Sequence, residues 1–240
     1  MSCRVRATVV VLDIEGTTSD AGFILGDLYD YARPRLGPWI DSCHDDPEVS
    51  RAVGQVIAEG GLPANATTQD VVAVLHHWMA EDVKATPLKT LQGLIWADGF
   101  GRGELTAHFY DDVIPNLRGW HAAGVRLAVY SSGSVASQRA WFAHSPDGDL
   151  SSLIDHFFDT INAGSKLSEK SFDKIAETLQ AKPGSLLFLS DRPGELRAAV
   201  EAGWQAVALR RPGQPFADAD FRDVGVAAVP GFDRLEVSPA

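Results

Sequence analysis

Near its start the chain runs Thr8-Val9-Val10-Val11-Leu12-Asp13, an apolar and β-branched stretch too short for a helix and lacking polar alternation. A run of this kind is a strand buried on both faces, and such strands belong to parallel sheets covered by helices on each side. Residues 125–130, 157–160, 185–190 and 205–209 read as further strands. They alternate with helical patterns from about Val135, over 169–179 and over 194–201. The fold class is therefore α/β, with a parallel sheet and helices on both faces.

Between the first strand and its partners the pattern changes. Residues 23–36, 47–59, 68–84 and 87–96 carry apolar side chains at helical spacing, and Thr67-Thr68-Gln69-Asp70 supplies a helix start with an acid in the first turn. We expect an α/β core made of 1–19 and 101–240, and an all-helical insert over 20–100. A compact insert costs little closure entropy, because that cost grows only logarithmically with length. Residues 99–103, rich in glycine, are expected to be the hinge back to the core, and the chain after Phe221 is weakly patterned and expected to fray.

Composition narrows the function. There are 21 Lys+Arg against 32 Asp+Glu, a net charge of −11, which disfavours nucleic acid and anionic membrane surfaces as partners. The two cysteines, Cys3 and Cys43, form no ligand-like spacing, so neither a disulfide framework nor a structural zinc site is expected. Arg4 and Arg6 precede an apolar run, but Asp13 and Glu15 interrupt it, so no secretion signal is expected. No apolar run is long enough for a membrane span. The expectation is a cytoplasmic enzyme with a small-molecule partner.

Candidate chemistry collects at strand ends, where open α/β sheets bind ligands. Asp13 and Glu15 flank Ile14, and strand alternation would turn both carboxylates to one side if the strand ran that far. Two such acids repel unless a cation or proton lies between them. A lone Asp-x-Glu is ordinarily a solvated strand end; here Gly16, Thr17 and Thr18 follow, and a second apolar strand ends at Asp191. Asp13, Asp191 and the Glu15 backbone suit Mg2+, which takes few carboxylates together with water and phosphate. Glu195, on the following helix, reads as a helix-start charge. Tyr130-Ser131-Ser132-Gly133-Ser134 is a candidate phosphate cradle at a helix N-terminus, although the same residues make an ordinary turn and cap. Lys166, in a loop where lysines are usually solvated, would supply the cation that acids and phosphate require. His76 and His77 are adjacent and face different ways, so they are expected to pack rather than bind metal, and His144 reads as structural.

Together these segments resemble the four motifs of the haloacid dehalogenase superfamily of aspartate-nucleophile phosphatases. Asp13-Ile14-Glu15-Gly16-Thr17-Thr18, with glutamate where a second aspartate is usual, resembles the enolase-phosphatase (acireductone synthase) family of methionine salvage. The likeness extends through Gln92-Gly93-Leu94-Ile95-Trp96, Gly103-Glu104-Leu105, Val113-Ile114-Pro115, His144-Ser145, Gly164-Ser165-Lys166 and residues 188–191. It departs after Thr18, where the family has a Pro-Ile-Ser-Phe-Val-like segment and this chain has Ser19-Asp20-Ala21-Gly22-Phe23.

The resemblance implies a HAD-like core with a helical cap, Mg2+ held by Asp13, Glu15 and Asp191, and substrate and phosphate binding by Ser131, Ser132 and Lys166. It implies Asp13 as nucleophile, forming an aspartyl-phosphate, with Lys166 offsetting phosphoryl charge. Glu15 becomes the candidate acid/base. The implied substrate is 2,3-diketo-5-methylthiopentyl 1-phosphate, converted to acireductone and phosphate by a cytoplasmic monomer. Alternatives are a HAD phosphatase for another small phosphorylated metabolite and a receiver-like phosphoacceptor module. The large insert after the acceptor strand and the presence of Glu15 weigh against the last.

Overall fold

The computed structural model describes residues 2–81, 83 and 85–240. Contacts divide the chain into two units, Met1–Gly22 with Thr106–Ala240, and Phe23–Leu105.

The first unit contains β1 (Cys3–Arg6), β2 (Val9–Leu12), β3 (Arg126–Tyr130), β4 (Ile154–Phe158), β5 (Leu186–Ser190), β6 (Gln205–Leu209), β7 (Ala227–Val229) and β8 (Leu235–Ser238). Six of them form a sheet in the order β4-β3-β2-β5-β6-β7, with every neighbouring pair parallel. The apolar β2 is central and buried at all four positions. Full burial of each such side chain contributes about 1.5–3 kcal/mol, which is why this sequence occupies the middle of the sheet and not its edge.

The helical unit begins in a stretch that changes pitch repeatedly. It runs through α1 (Ala21–Phe23), which straddles the boundary between units, then a π turn (Ile24–Leu28), α2 (Tyr29–Ala32), a 3-10 turn (Arg33–Arg35) and α3 (Leu36–Ser42), where one helix over 23–36 was expected. α4 (Pro47–Glu59) is capped by Asp46, whose carboxylate accepts from the Glu48 and Val49 amides. α5 (Thr68–Ala80) starts with a capping box between Thr67 and Asp70. It ends before the expected Lys84, which lies outside the described residues. α6 (Thr86–Gly101) carries helix through Gly99–Gly101, so the expected hinge loop is shorter than its glycines suggested. Leu36, Val56, Leu75, Leu91 and Ile95 are among the apolar residues that close this unit's own core.

Back in the first unit, α7 (Val113–Ala122), α8 (Val135–Ala143), α9 (Glu169–Leu179) and α10 (Pro193–Glu201) accompany the strands. On α9, Phe172, Ile175, Ala176 and Leu179 lie on one face and pack with Val9, Val11, Tyr130 and Phe188 of the sheet and Leu196 of α10. The segment after Phe221 does not fray. Phe221, Val229, Phe232 and Leu235 are buried, and β8 pairs in parallel with β1 as a separate two-stranded sheet.

Candidate active site

Sheet register assembles the site. Leu12 lies opposite Val129 on one side and Leu189 on the other, so Asp13, Ser131 and Asp191 all emerge at the same carboxyl rim. The amide of Asp13 still donates to the Leu189 carbonyl at 3.0 Å, fixing the residue just past its strand. β2 stops at Leu12, so Glu15 does not share a strand face with Asp13. It sits on a tight turn instead. There the Ile14 carbonyl accepts from the amides of Thr17, Thr18 and Ser19, and the Thr18 hydroxyl donates to the Asp13 carbonyl at 3.1 Å.

Lys166 is not solvated. Its ammonium donates to Asp13 Oδ1 at 2.6 Å and lies 2.7 Å from Glu195 Oε2, with all three residues buried. The same ammonium lies 5.7 Å from the centre of the Tyr130 ring and 5.8 Å from that of Phe188. The loop that delivers it is held by Tyr130, whose hydroxyl donates to the Gly164 carbonyl at 2.9 Å. Burial opposes the lysine's charge, yet Asp13 and Glu195 hold its pKa above the ordinary value. Glu195 is thus a member of the site and not a helix-start charge in solvent. Burial pushes its pKa up, against the opposing pull of Lys166. A charged residue in the first turn of a helix gave no sequence signal to separate these cases. Ser190 Oγ lies 2.9 Å from Glu195 Oε2 and 3.4 Å from Asp13 Oδ2, so its single proton serves the nearer carboxylate.

Asp191 is buried, and burial together with the charge of Asp13 pushes its pKa up to about 7. Its Oδ1 has no hydrogen-bond partner. Gly16, at φ +73°, passes so close that a Cβ there would overlap the Asp191 carboxylate. Asp13, Asp191 and Glu195 ionised around Lys166 leave two negative charges uncompensated, and one buried carboxylate oxygen unsatisfied. That donor set fits Mg2+, which binds through one or two carboxylates and completes its shell with water and phosphate oxygens. Among the described residues no group of three or more His, Cys, Asp or Glu forms an all-protein cage for a metal.

The Ser131–Ser134 turn is shaped from beneath. Ser131 is buried and its amide donates to the Phe158 carbonyl; Ser132 is half-buried. The N-terminus of α8 is largely engaged by the protein itself. The Val135 amide donates to Asp159 Oδ2 at 3.0 Å and the Ser137 amide to Ser134 Oγ at 3.2 Å. An anion in this cradle would therefore meet the 131–133 turn and not the helix end. Gln138 Nε2 donates to the Gly133 and Phe158 carbonyls, each at 2.8 Å. The second oxygen of Asp159 accepts from the Ile161 and Asn162 amides, so one carboxylate links the turn to the loop that carries Lys166. Sequence inspection passes over Gln138 and Asp159, because the partners that tie them into the site, the Phe158 carbonyl and the Val135 amide, lie on other elements.

His144 closes α8, its Nδ1 2.8 Å from the Ala140 carbonyl, as a structural histidine does. His76 Nε2 lies 3.0 Å from the Arg33 carbonyl within the helical unit.

The fold and this rim define a hydrolase of the haloacid dehalogenase-like class, and the profile of haloacid dehalogenase-like hydrolases matches residues 7–203. Enolase-phosphatase E1 of Saccharopolyspora erythraea is 55% identical over 238 residues, 99% of this chain and 98% of the relative. That of Drosophila melanogaster is 38% identical over 239 residues, 95% and 93% of the two chains. Among solved structures, the UTR4 protein of Saccharomyces cerevisiae matches with a TM-score of 0.77 and 30% identity across 95% of this chain and 99% of that one. The chain belongs to the enolase-phosphatase family of haloacid dehalogenase-like hydrolases and is a phosphatase. Among the described residues no helix is long and apolar enough to cross a membrane.

Proposed function

We propose that this chain is a Mg2+-dependent enolase-phosphatase that converts 2,3-diketo-5-methylthiopentyl 1-phosphate to acireductone and phosphate in methionine salvage. The observation that carries the reading is the buried Asp13 carboxylate held at 2.6 Å by Lys166, at a rim with surplus negative charge. Asp13 and Asp191 would hold the metal, with Glu15 contributing through its backbone. Bound there, Mg2+ supplies positive charge to the phosphoryl oxygens.

Asp13 attacks phosphorus in line and becomes an aspartyl-phosphate, and the leaving oxygen departs with a proton. Lys166 holds the Asp13 carboxylate in place before attack and faces the phosphoryl charge during it. Ser131 and Ser132 bind the substrate and its phosphate by hydrogen bonds. Glu15 protonates the leaving oxygen and then takes a proton from the water that hydrolyses the intermediate. Its side chain, one methylene longer than aspartate, also moves a proton at carbon for the enolisation. We assign substrate choice and water exclusion to the helical unit, acting as a cap.

The test is phosphate release from the diketo phosphate with and without Mg2+, with enediol absorbance followed in the same cuvette. Metal-dependent release of phosphate with growth of the enediol band is the expected result. Phosphate without the enediol would remove the enolase step. No turnover of the diketo phosphate, with turnover of sugar phosphates, would favour a phosphatase for another small metabolite, the reading that the departing segment Ser19-Asp20-Ala21-Gly22-Phe23 favours.

A further inference from the structure

We propose that Arg211, locked by Asp112, is a positioning residue that holds the Glu15 turn in the geometry needed to hydrolyse the phosphoenzyme. This rests on the reading of Glu15 as the group that activates water.

Five consecutive residues, Thr17 to Ala21, are each anchored by residues far away in sequence. The Thr17 carbonyl accepts from Arg211 Nε at 3.0 Å, and the Thr18 carbonyl accepts from the Tyr110 amide at 3.1 Å. His108 Nδ1 accepts from the Asp20 amide at 3.2 Å and lies 3.1 Å from Ser19 Oγ. Gln214 Oε1 accepts from the Ala21 amide at 2.9 Å. The anchors come from two stretches, 108–110 and 211–214. Arg211 and Asp112 join these stretches, since Arg211 Nη1 lies 2.7 and 2.8 Å from the two oxygens of Asp112.

Arg211 is buried, with its guanidinium 4.2 Å from the centre of the Tyr110 ring and 5.3 Å from that of Phe232. Asp112 also accepts from the Phe232 amide. The planar guanidinium is what the arrangement uses: Nη1 reaches both oxygens of a carboxylate while Nε reaches a carbonyl, a geometry that lysine's point charge cannot reproduce.

Gly16, at φ +73°, separates Glu15 from the clamped Thr17. The turn closes on itself across this glycine, since the Gly16 amide donates to the Ser19 carbonyl at 2.7 Å and the Ile14 carbonyl accepts from the Thr17, Thr18 and Ser19 amides, so the contact at Thr17 bears on where Glu15 points. Asp13 is fixed separately, by the Leu189 carbonyl and by Lys166. Loosening the clamp should therefore affect the step that needs Glu15 and spare the step that needs Asp13.

para-Nitrophenyl phosphate separates these steps, because its leaving group departs without a proton and its colour reports phosphoenzyme formation. With saturating Mg2+, stopped-flow traces of Arg211→Lys should keep the first-turnover rate within about 2-fold and slow the steady state by about 10²-fold, giving a burst. Asp112→Asn, which keeps an acceptor for the Phe232 amide, should do the same and decides the matter if Arg211→Lys does not fold. Glu15→Gln is the reference. If it shows no burst, the reading of Glu15 falls and takes this proposal with it. If Glu15→Gln shows the burst while the folded clamp variants slow both phases equally, or neither, the clamp proposal alone is overturned.

Discussion

Glu195 Oε2 lies 2.7 Å from Lys166 Nζ, a second carboxylate bound to the ammonium that already donates to Asp13. A buried lysine between two buried acids makes their removal unequal.

Lys166→Met leaves Asp13 and Glu195 facing each other without a counter-charge. We expect it to cost about 3–5 kcal/mol at pH 7, the range for breaking a buried pair, and Glu195→Gln to cost less because Asp13 and Lys166 still balance. The pKa of Lys166 is raised in the folded protein, so its contribution is complete below the ordinary lysine value of 10.5 and disappears only as pH rises through the raised value. Wild type should thus keep this contribution from pH 6 to 9, whereas Lys166→Met should recover stability on acidification as its acids protonate. Thermal unfolding across that range without metal checks this; equal losses for the two variants would refute it.

Gly16→Ala adds a Cβ into the space of the Asp191 carboxylate and forces alanine to a positive φ. The backbone penalty is about 1–2 kcal/mol. The larger effect should fall on metal binding, with phosphatase activity down by about 10²-fold from misplacement. Differential scanning fluorimetry with and without MgCl2 is the check. An unchanged Mg2+-induced rise in Tm would show that the approach of Gly16 to Asp191 is not part of the metal site.

Asp159→Ala removes the acceptor for the Val135, Ile161 and Asn162 amides. We expect a loss of about 1–3 kcal/mol in urea unfolding. KM should rise, because the Ser131–Ser134 turn and the Lys166 loop lose their common tie. Asp159→Asn keeps one carbonyl oxygen and should lie between. Unaltered KM in a destabilised Asp159→Ala would confine the residue to folding.

Burial, reinforced by the charge of Asp20, pushes the Tyr110 phenol up to about 12. The folded state then keeps a proton that the unfolded chain gives up near pH 10, so stability falls as pH climbs between these values. Tyr110→Phe should lack the latest step in a tyrosinate absorbance titration and show a shallower loss of stability above pH 10. A titration identical to wild type would contradict the burial of this hydroxyl.

Local pattern carried much of the fold. β6, α4 and α9 coincide with the apolar runs and periodicities that predicted them, because each is specified by its own residues. The pairing of β1 with β8 was not legible: its partners are more than two hundred residues apart, and the exposed, alternating Cys3–Arg6 is ordinary surface sequence until Leu235 lies beside it. The site divides in the same way. Asp13, Lys166 and Asp191 stand at strand ends or in loops, where composition betrays them. Glu195 and Arg211 act through Lys166 and Asp112, and Asp159 reaches the Ser131–Ser134 turn through Val135, partners that other elements supply.

The central strand leaves the ribosome before either of its sheet neighbours. Its neighbours β3 and β5 follow only after the helical unit, which draws its core from Phe23–Leu105 alone. At translation speeds of roughly 5–20 residues per second, Val9-Val10-Val11-Leu12 waits on the order of ten seconds before both flanks exist. During that interval a β-rich apolar segment is unpaired on the nascent chain, a binding site for chaperones and a point of vulnerability to self-association when synthesis is slow.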